Sequence, residues 1–253
     1  MIWDQLTSPG INALPRSMPV LLPIAATEQH GAHLPVATDH LIASHFARQL
    51  HVRIPDHVLI LPTLTVGYSQ HHMAFPGTLT LSHKTLLAVI TEILESVASH
   101  GFKTLVIFNA HGGNLAIGQV ALEQFGAQHP ECRVVFATWW RIAAETLFGI
   151  TETGPGGVGH ACEFETSLML RIAPDLVDRT QIIAGGNQAT FEWAEGDMLR
   201  GAKAGLFRSM PSMSPTGVYG DPRAGSVEKG ARIEAIVLSE LQAIILSLAS
   251  NSI

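Results

Sequence analysis

Short apolar runs alternate along this chain with longer stretches in which apolar positions recur every three or four residues. Four runs, Val20 to Ala25, Val58 to Leu61, Thr104 to Phe108 and Val134 to Ala137, are almost wholly aliphatic. Unbroken runs of that kind suit strands of a parallel sheet covered on both faces. Pro23 counts against the first run, because proline cannot donate to a ladder. Helical spacing covers Asp39 to Leu50, Ser82 to Ser99, Leu115 to Gln128, Glu163 to Ile172 and Gly225 to Leu248. Ser82 and Asn114 stand where N-caps belong. Strands alternating with helices predict βαβ units, hence an α/β fold: layered, with a mainly parallel central sheet and helices on both faces. Glycine and proline mark loops over residues 151–159 and 210–225. No repeat, charge block or linker interrupts residues 1–253, which predicts a single domain.

Composition narrows this picture. Hydrophobic residues make up 47% and charged residues 14%, enough apolar material for a large core and so little charge that a homo-oligomer is expected. A net charge of −6 gives no basic face for nucleic acid. Cys132 and Cys162 are too few for a disulfide scaffold and fit reduced thiols of a cytoplasmic protein. Met1-Ile2-Trp3-Asp4 lacks the start of a secretory signal. The apolar stretch Ile233 to Ala249 is interrupted by Glu234, Glu240 and Gln242, as in a helix packed on a core and not a membrane span.

Three polar clusters each follow a predicted strand or loop. The first is Thr27-Glu28-Gln29-His30-Gly31-Ala32-His33, with Asp39 opening the next helix. Glu28 and His30 are two residues apart and project to one side of an extended chain. Glutamate, histidine and aspartate together suit Zn²⁺, Mn²⁺ or Fe²⁺. Asp39 equally suits a helix cap. The second is Asn109-Ala110-His111-Gly112-Gly113-Asn114, where paired glycines allow close backbone approach beside His111. The alternative is a plain glycine-rich turn. The third is Gly159-His160-Ala161-Cys162-Glu163-Phe164-Glu165, whose glutamates also fit the first turn of a helix on dipole grounds alone. Of Gly67-Tyr68-Ser69-Gln70-His71-His72, His71 reads as a loop residue and His72 as a candidate pocket residue.

Taken together, these motifs resemble the creatininase (creatinine amidohydrolase) family. The carrying residues are Thr27 to Pro35 with Thr38-Asp39, Asn109 to Asn114, and Gly159-His160-Ala161 with Glu165-Thr166-Ser167. Phe75-Pro76-Gly77-Thr78 and Gly217 to Pro222 add lesser matches. The resemblance spans nearly the whole chain and implies a binuclear metal centre, hydrolysis of C–N bonds and commonly a hexamer. Glu28, His30, Asp39 and His111 match metal ligands, Asp39 as the bridge. His160 matches the proton-transfer histidine.

Two departures follow. Creatininases carry a glutamate ligand where this chain has Gly113, so another carboxylate must complete the shell: Glu165 is expected, ahead of Glu163. Residues 154–159 also lack the tryptophan that packs on creatinine, leaving Trp139 and Trp140 as the nearby aromatics. The expectation is a cytoplasmic hydrolase with two divalent ions (zinc, manganese or iron), cleaving a non-peptide or cyclic amide or formamide of a small molecule. Ion-activated hydroxide attacks, and His160 and Glu165 are catalytic. Its rivals are a peptide-trimming member of the family and a non-catalytic metal-binding protein. Neither nucleic acid nor membrane is an expected partner. A phosphoesterase is disfavoured because no arginine or lysine lies in the three clusters.

Overall fold

A computed structural model describes residues 1–250. Four parallel strands form the central sheet: β1 (Val20–Ile24), β2 (Leu59–Ile60), β3 (Thr104–Asn109) and β4 (Arg133–Thr138), in the order β2-β1-β3-β4. Helices cover both faces because the strands alternate which face each residue joins. Leu21, Val106 and Phe108 face the helices Thr38–Arg53, Glu163–Ile172 and Val227–Ser250. Val20, Leu22, Ile24, Leu105 and Ile107 face His83–Ser99 and Leu115–Gln128. The layered α/β architecture is the one the apolar runs predict.

Pro23 sits in β1, an interior strand. It is tolerated because its nitrogen points toward β2, which ends at Ile60. The neighbouring chain resumes contact at Leu64, whose N–H bonds the Pro23 carbonyl at 2.9 Å and whose carbonyl takes the Ala25 N–H at 2.9 Å. The missing donor falls in the gap between the two contacts.

The Val227–Ser250 helix is long and apolar enough to cross a membrane by composition alone. It buries Gly230, Ile233, Val237, Leu238, Leu241 and Ile245, packing chiefly on Glu163–Ile172. This is the amphipathic core helix read from its interrupting glutamates.

Smaller elements depart from the expected loops. Residues 151–159 and 210–225 contribute β5 (Val158–His160) and β6 (Tyr219–Gly220), an antiparallel pair. The pair seats His160 across from the sheet. Asn114 occupies the N-cap position of the helix it precedes, but its side chain makes no capping bond. Its Oδ1 instead accepts the Tyr68 N–H at 3.0 Å and its Nδ2 donates to the Ala25 carbonyl at 3.1 Å. Asn114 thus ties three loops together at the rim of the sheet.

Candidate metal centre

The strand order reverses direction between β1 and β3, and ligands in open α/β sheets bind beyond the strand ends at such a point. Glu28 and His30 lie in the loop after β1, and His111 directly after β3. Asp39 enters from the first turn of Thr38–Arg53. It does not cap that helix, whose N-cap is Ala37. All five expected ligands are buried: Glu28, His30 and Asp39 at 1% exposure, His111 and Glu165 at 3%.

Asp39 lies between two histidines. Its Oδ1 is 3.1 Å from His30 Nε2 and its Oδ2 3.0 Å from His111 Nδ1. Glu28 Oε1 is 3.3 Å from the same His111 Nδ1, and Glu165 Oε1 is 3.9 Å from His30 Nε2. The orientation of each ring follows from its other nitrogen. His30 Nδ1 is 3.0 Å from the Glu28 carbonyl, and His111 Nε2 is 2.9 Å from the Tyr68 carbonyl. A carbonyl only accepts, so those nitrogens carry the protons and the opposite lone pairs face the carboxylates. Backbone bonds of this sort commonly set the tautomer of a metal-binding histidine.

Lone pairs therefore converge on lone pairs. Glu28, Asp39 and His111 offer atoms all within 4.8 Å of one another, and so do His30, His160 and Glu165, and Glu28, His72 and His160. His30 Nε2, Asp39 Oδ2 and Glu28 Oε2 are buried without a hydrogen-bond partner. Buried polar atoms are normally satisfied. A cation among these donors satisfies them, so the donor set fits divalent metal.

Electrostatics agree. Burial lowers the pKa of His30, but Asp39, Glu165 and Glu28 outweigh it and raise it to about 9. Burial likewise opposes a charged His111, yet Glu28 and Asp39 hold it well above its usual range. Burial acts to raise Glu28 and Asp39, but the facing imidazoles keep both below the ordinary carboxylate range. Without metal, protons at His30 and His111 stand where cations fit.

Glu165 and Glu163 separate cleanly. Ala161 adopts φ +52°, the one left-handed residue other than glycine among the described residues, and its N–H bonds Glu165 Oε2. That turn leaves Glu165 Oε1 facing His30. Burial, aided by Asp39 and Glu28, raises Glu165 to about 7. Glu163 points away. It accepts from Thr151, Thr153 and the Glu152 N–H, and pairs with buried Lys229.

Around the centre, Gln29 sorts the remaining histidines. Its Oε1 takes the Gly31 N–H at 2.9 Å, which fixes the amide orientation; Nε2 then donates to the Gly217 carbonyl at 3.1 Å and to His72 Nδ1 at 2.8 Å. His72 consequently carries its proton on Nε2, 3.5 Å from Glu28 Oε1. With its proton there, it faces the site as a donor. His160 gives its Nε2–H to the Gln29 carbonyl at 2.7 Å, so its Nδ1 lone pair faces the site 3.5 Å from Glu28 Oε1. Burial, with His30 and His72, keeps His160 neutral by lowering its pKa well below the usual range.

The centre opens into a cavity of about 700 Å³. His71 lines it together with His72, so the loop reading of His71 is corrected: the short 3-10 helix Gln70–His72 turns both rings inward. Trp140 also lines it, whereas Trp139 is fully buried in the core against Phe46. Arg141 and Arg200 line it too, although neither belongs to a polar cluster of the sequence. Gln29 was hidden in plain sight; only its distance from His72 and Gly217 reveals its role, and those residues are remote in the chain.

Known proteins share this architecture. A family model described as creatininase, creatinine amidohydrolase, matches residues 4–245. The mycofactocin precursor peptide peptidase of Mycobacterium ulcerans (strain Agy99) is 31% identical over 247 residues, covering 94% of this chain and 89% of the relative. The creatinine amidohydrolase of Pseudomonas putida is 31% identical over 183 residues, 65% of this chain and 68% of the relative. A mutant creatininase complexed with creatine superimposes with a TM-score of 0.82 at 25% identity over 97% of each chain. Other creatininases of this fold are named for a zinc–zinc centre and for manganese.

Proposed function

This chain belongs to the creatininase family, and on that premise we propose that it hydrolyses an amide or formamide C–N bond with two divalent ions held by Glu28, His30, Asp39, His111 and Glu165. The observation that carries this reading is Asp39, whose two oxygens lie 3.1 and 3.0 Å from ring nitrogens of His30 and His111. Zinc, manganese and iron suit such a mixed carboxylate and imidazole set. When bound, the ions supply a water acidic enough to ionise near neutral pH and a Lewis acid for the substrate carbonyl.

The chain's own groups do the rest. His160 is neutral at pH 7 and presents Nδ1 to the site, so it takes a proton from the attacking water and returns it to the leaving nitrogen. Its fixed Nε2–H bond keeps Nδ1 aimed inward through both transfers. His72 presents Nε2–H as a hydrogen-bond donor for charge developing on the substrate. Glu165 orients the His30 side of the centre. Trp140, Met210 and Met213 supply apolar wall to the cavity.

A second reading, cleavage of a peptide bond, has support in the peptidase relative that spans 94% of this chain. A cavity of about 700 Å³ also exceeds the needs of one small ring. Creatinine is a poor fit to a site with Gly113 and no tryptophan in residues 154–159. The deciding experiment screens metal-reconstituted protein against creatinine, formamidopyrimidines, other cyclic amides and short peptides. Metal-dependent hydrolysis of one class supports the proposal. Full ion loading with no hydrolysis in any class leaves the non-catalytic alternative standing.

A further inference from the structure

We infer that Arg141 and Arg200 form a carboxylate subsite in the catalytic cavity, so that the amide cleaved is one carrying a free carboxylate. Such amides come from two sources, N-acyl amino acids and the C-terminal residue of a peptide. This inference rests on the amide-hydrolase reading of the centre.

Both arginines line the same cavity as Glu28, Asp39, His111 and His160. Arg141 sits in the short helix Trp139–Ile142 directly after β4. Its backbone position is tied to the centre through Asn109, whose Nδ2 donates to the His111 carbonyl at 2.9 Å and to Thr138 Oγ1 at 3.3 Å. Arg200 rests its guanidinium over the Phe148 ring, 4.6 Å from the centroid. Phe148 ends the next short helix, Ala144–Phe148, so the Arg200 guanidinium lies against the segment that follows Arg141.

Neither has a carboxylate partner among the described residues. Asp197 lines the cavity as well, but its Oδ1 takes the Leu199 and Arg200 N–H groups and its Oδ2 that of Gly156. The cavity is therefore polarised. Its inner end gathers the carboxylates of Glu28, Asp39 and Glu165, which suit cations, and its solvent-exposed wall carries two cationic side chains that form no ion pair among the described residues. Guanidinium groups bind carboxylates through paired N–H bonds, and stacking on an aromatic ring pre-orders the fork. A substrate with its neutral carbonyl at the centre and an anionic end on this wall matches both halves. Hydrolysis then adds the elements of water across the C–N bond, giving an acid and an amine with no further reactant.

The test uses metal-loaded full-length protein and two matched pairs: an N-formyl amino acid with its carboxamide, and a tripeptide with its C-terminally amidated form. The free acid of one pair is expected to be cleaved with a kcat/KM about 10- to 100-fold above its amidated partner, the range for hydrogen bonds to a charged group. Arg141→Gln and Arg200→Gln are each expected to reduce that preference through a higher KM for the free acid, with ion content unchanged. The pair that responds identifies the source. Equal cleavage of acid and amidated forms, unmoved by either substitution, overturns the subsite and leaves the amide-hydrolase reading intact. No cleavage of any amide by fully loaded protein overturns both.

Discussion

His111 gives its Nε2–H to the Tyr68 carbonyl, 2.9 Å away, and this bond decides which ring nitrogen faces the acids. Gly113 makes the bond possible. A Cβ there would lie 2.0 Å from the Tyr68 oxygen and 2.5 Å from His111 Nε2. Position 113 is thus closed to any side chain here, and Glu165 is the carboxylate that faces His30 from the third cluster.

Gly113→Ala is predicted to displace the Tyr68 carbonyl and let the His111 ring turn. Loss of an outer-shell partner typically weakens metal binding by about 10- to 100-fold. A chelator competition titration measures this. Wild-type affinity in the variant would contradict the role given to the Tyr68 bond.

His160→Gln is predicted to keep the ions and lose turnover. General acid–base catalysis contributes about 10²- to 10⁴-fold, and kcat should fall by that order while metal content stays at the wild-type level. Loss of metal along with activity would make His160 a ligand rather than a proton carrier.

Acidity should destabilise the fold in a defined window. His33 and His72 are held neutral, burial chiefly lowering them to about 4 and about 3. The unfolded chain protonates these imidazoles below roughly pH 6.5. It therefore binds more protons than the folded chain between there and pH 4, and stability falls as pH drops through that range. His30 acts oppositely in ion-free protein. Its pKa of about 9 gives stability that is full below roughly pH 6.5 and lost as pH rises through 9. An ion displaces that proton, so thermal melts of chelated protein should decline on both sides, and melts of loaded protein only on the acid side. An alkaline limb that survives ion loading would contradict this.

Lys229 and Glu163 form a buried ion pair beneath the centre, at 3% and 0% exposure. Breaking a buried pair costs about 3–5 kcal/mol, because the remaining charge is left unpaired. Lys229→Met should show that loss in chemical denaturation, and Lys229→Met with Glu163→Gln should recover much of it. Equal instability of the single and double variants would argue against the pairing.

Much of the architecture was legible from local pattern, and what was missed depends on distant partners. Aliphatic runs located all four strands of the central sheet, because burial on both faces leaves no room for polar residues. The three clusters containing Glu28, His111 and His160 proved to converge, since each follows a strand or loop ending at one rim. Pro23 misled because its compatibility rests on where β2 stops. Asn114 looked like a cap by position, yet bonds Tyr68 and Ala25, far off in sequence. Glu163 and Glu165 are indistinguishable as first-turn glutamates until the left-handed Ala161 and the buried Lys229 separate them. Arg141 and Arg200 carry no motif, and only the shared cavity brings them together.

Asp39 is the most direct test of the whole account. Metal analysis of purified wild-type protein and of Asp39→Ala should give about two divalent ions per chain in the first. Loss of both follows in the second, because the substitution removes the oxygens facing His30 and His111 alike. An Asp39→Ala protein that folds and retains the wild-type ion content would contradict the shared-aspartate centre.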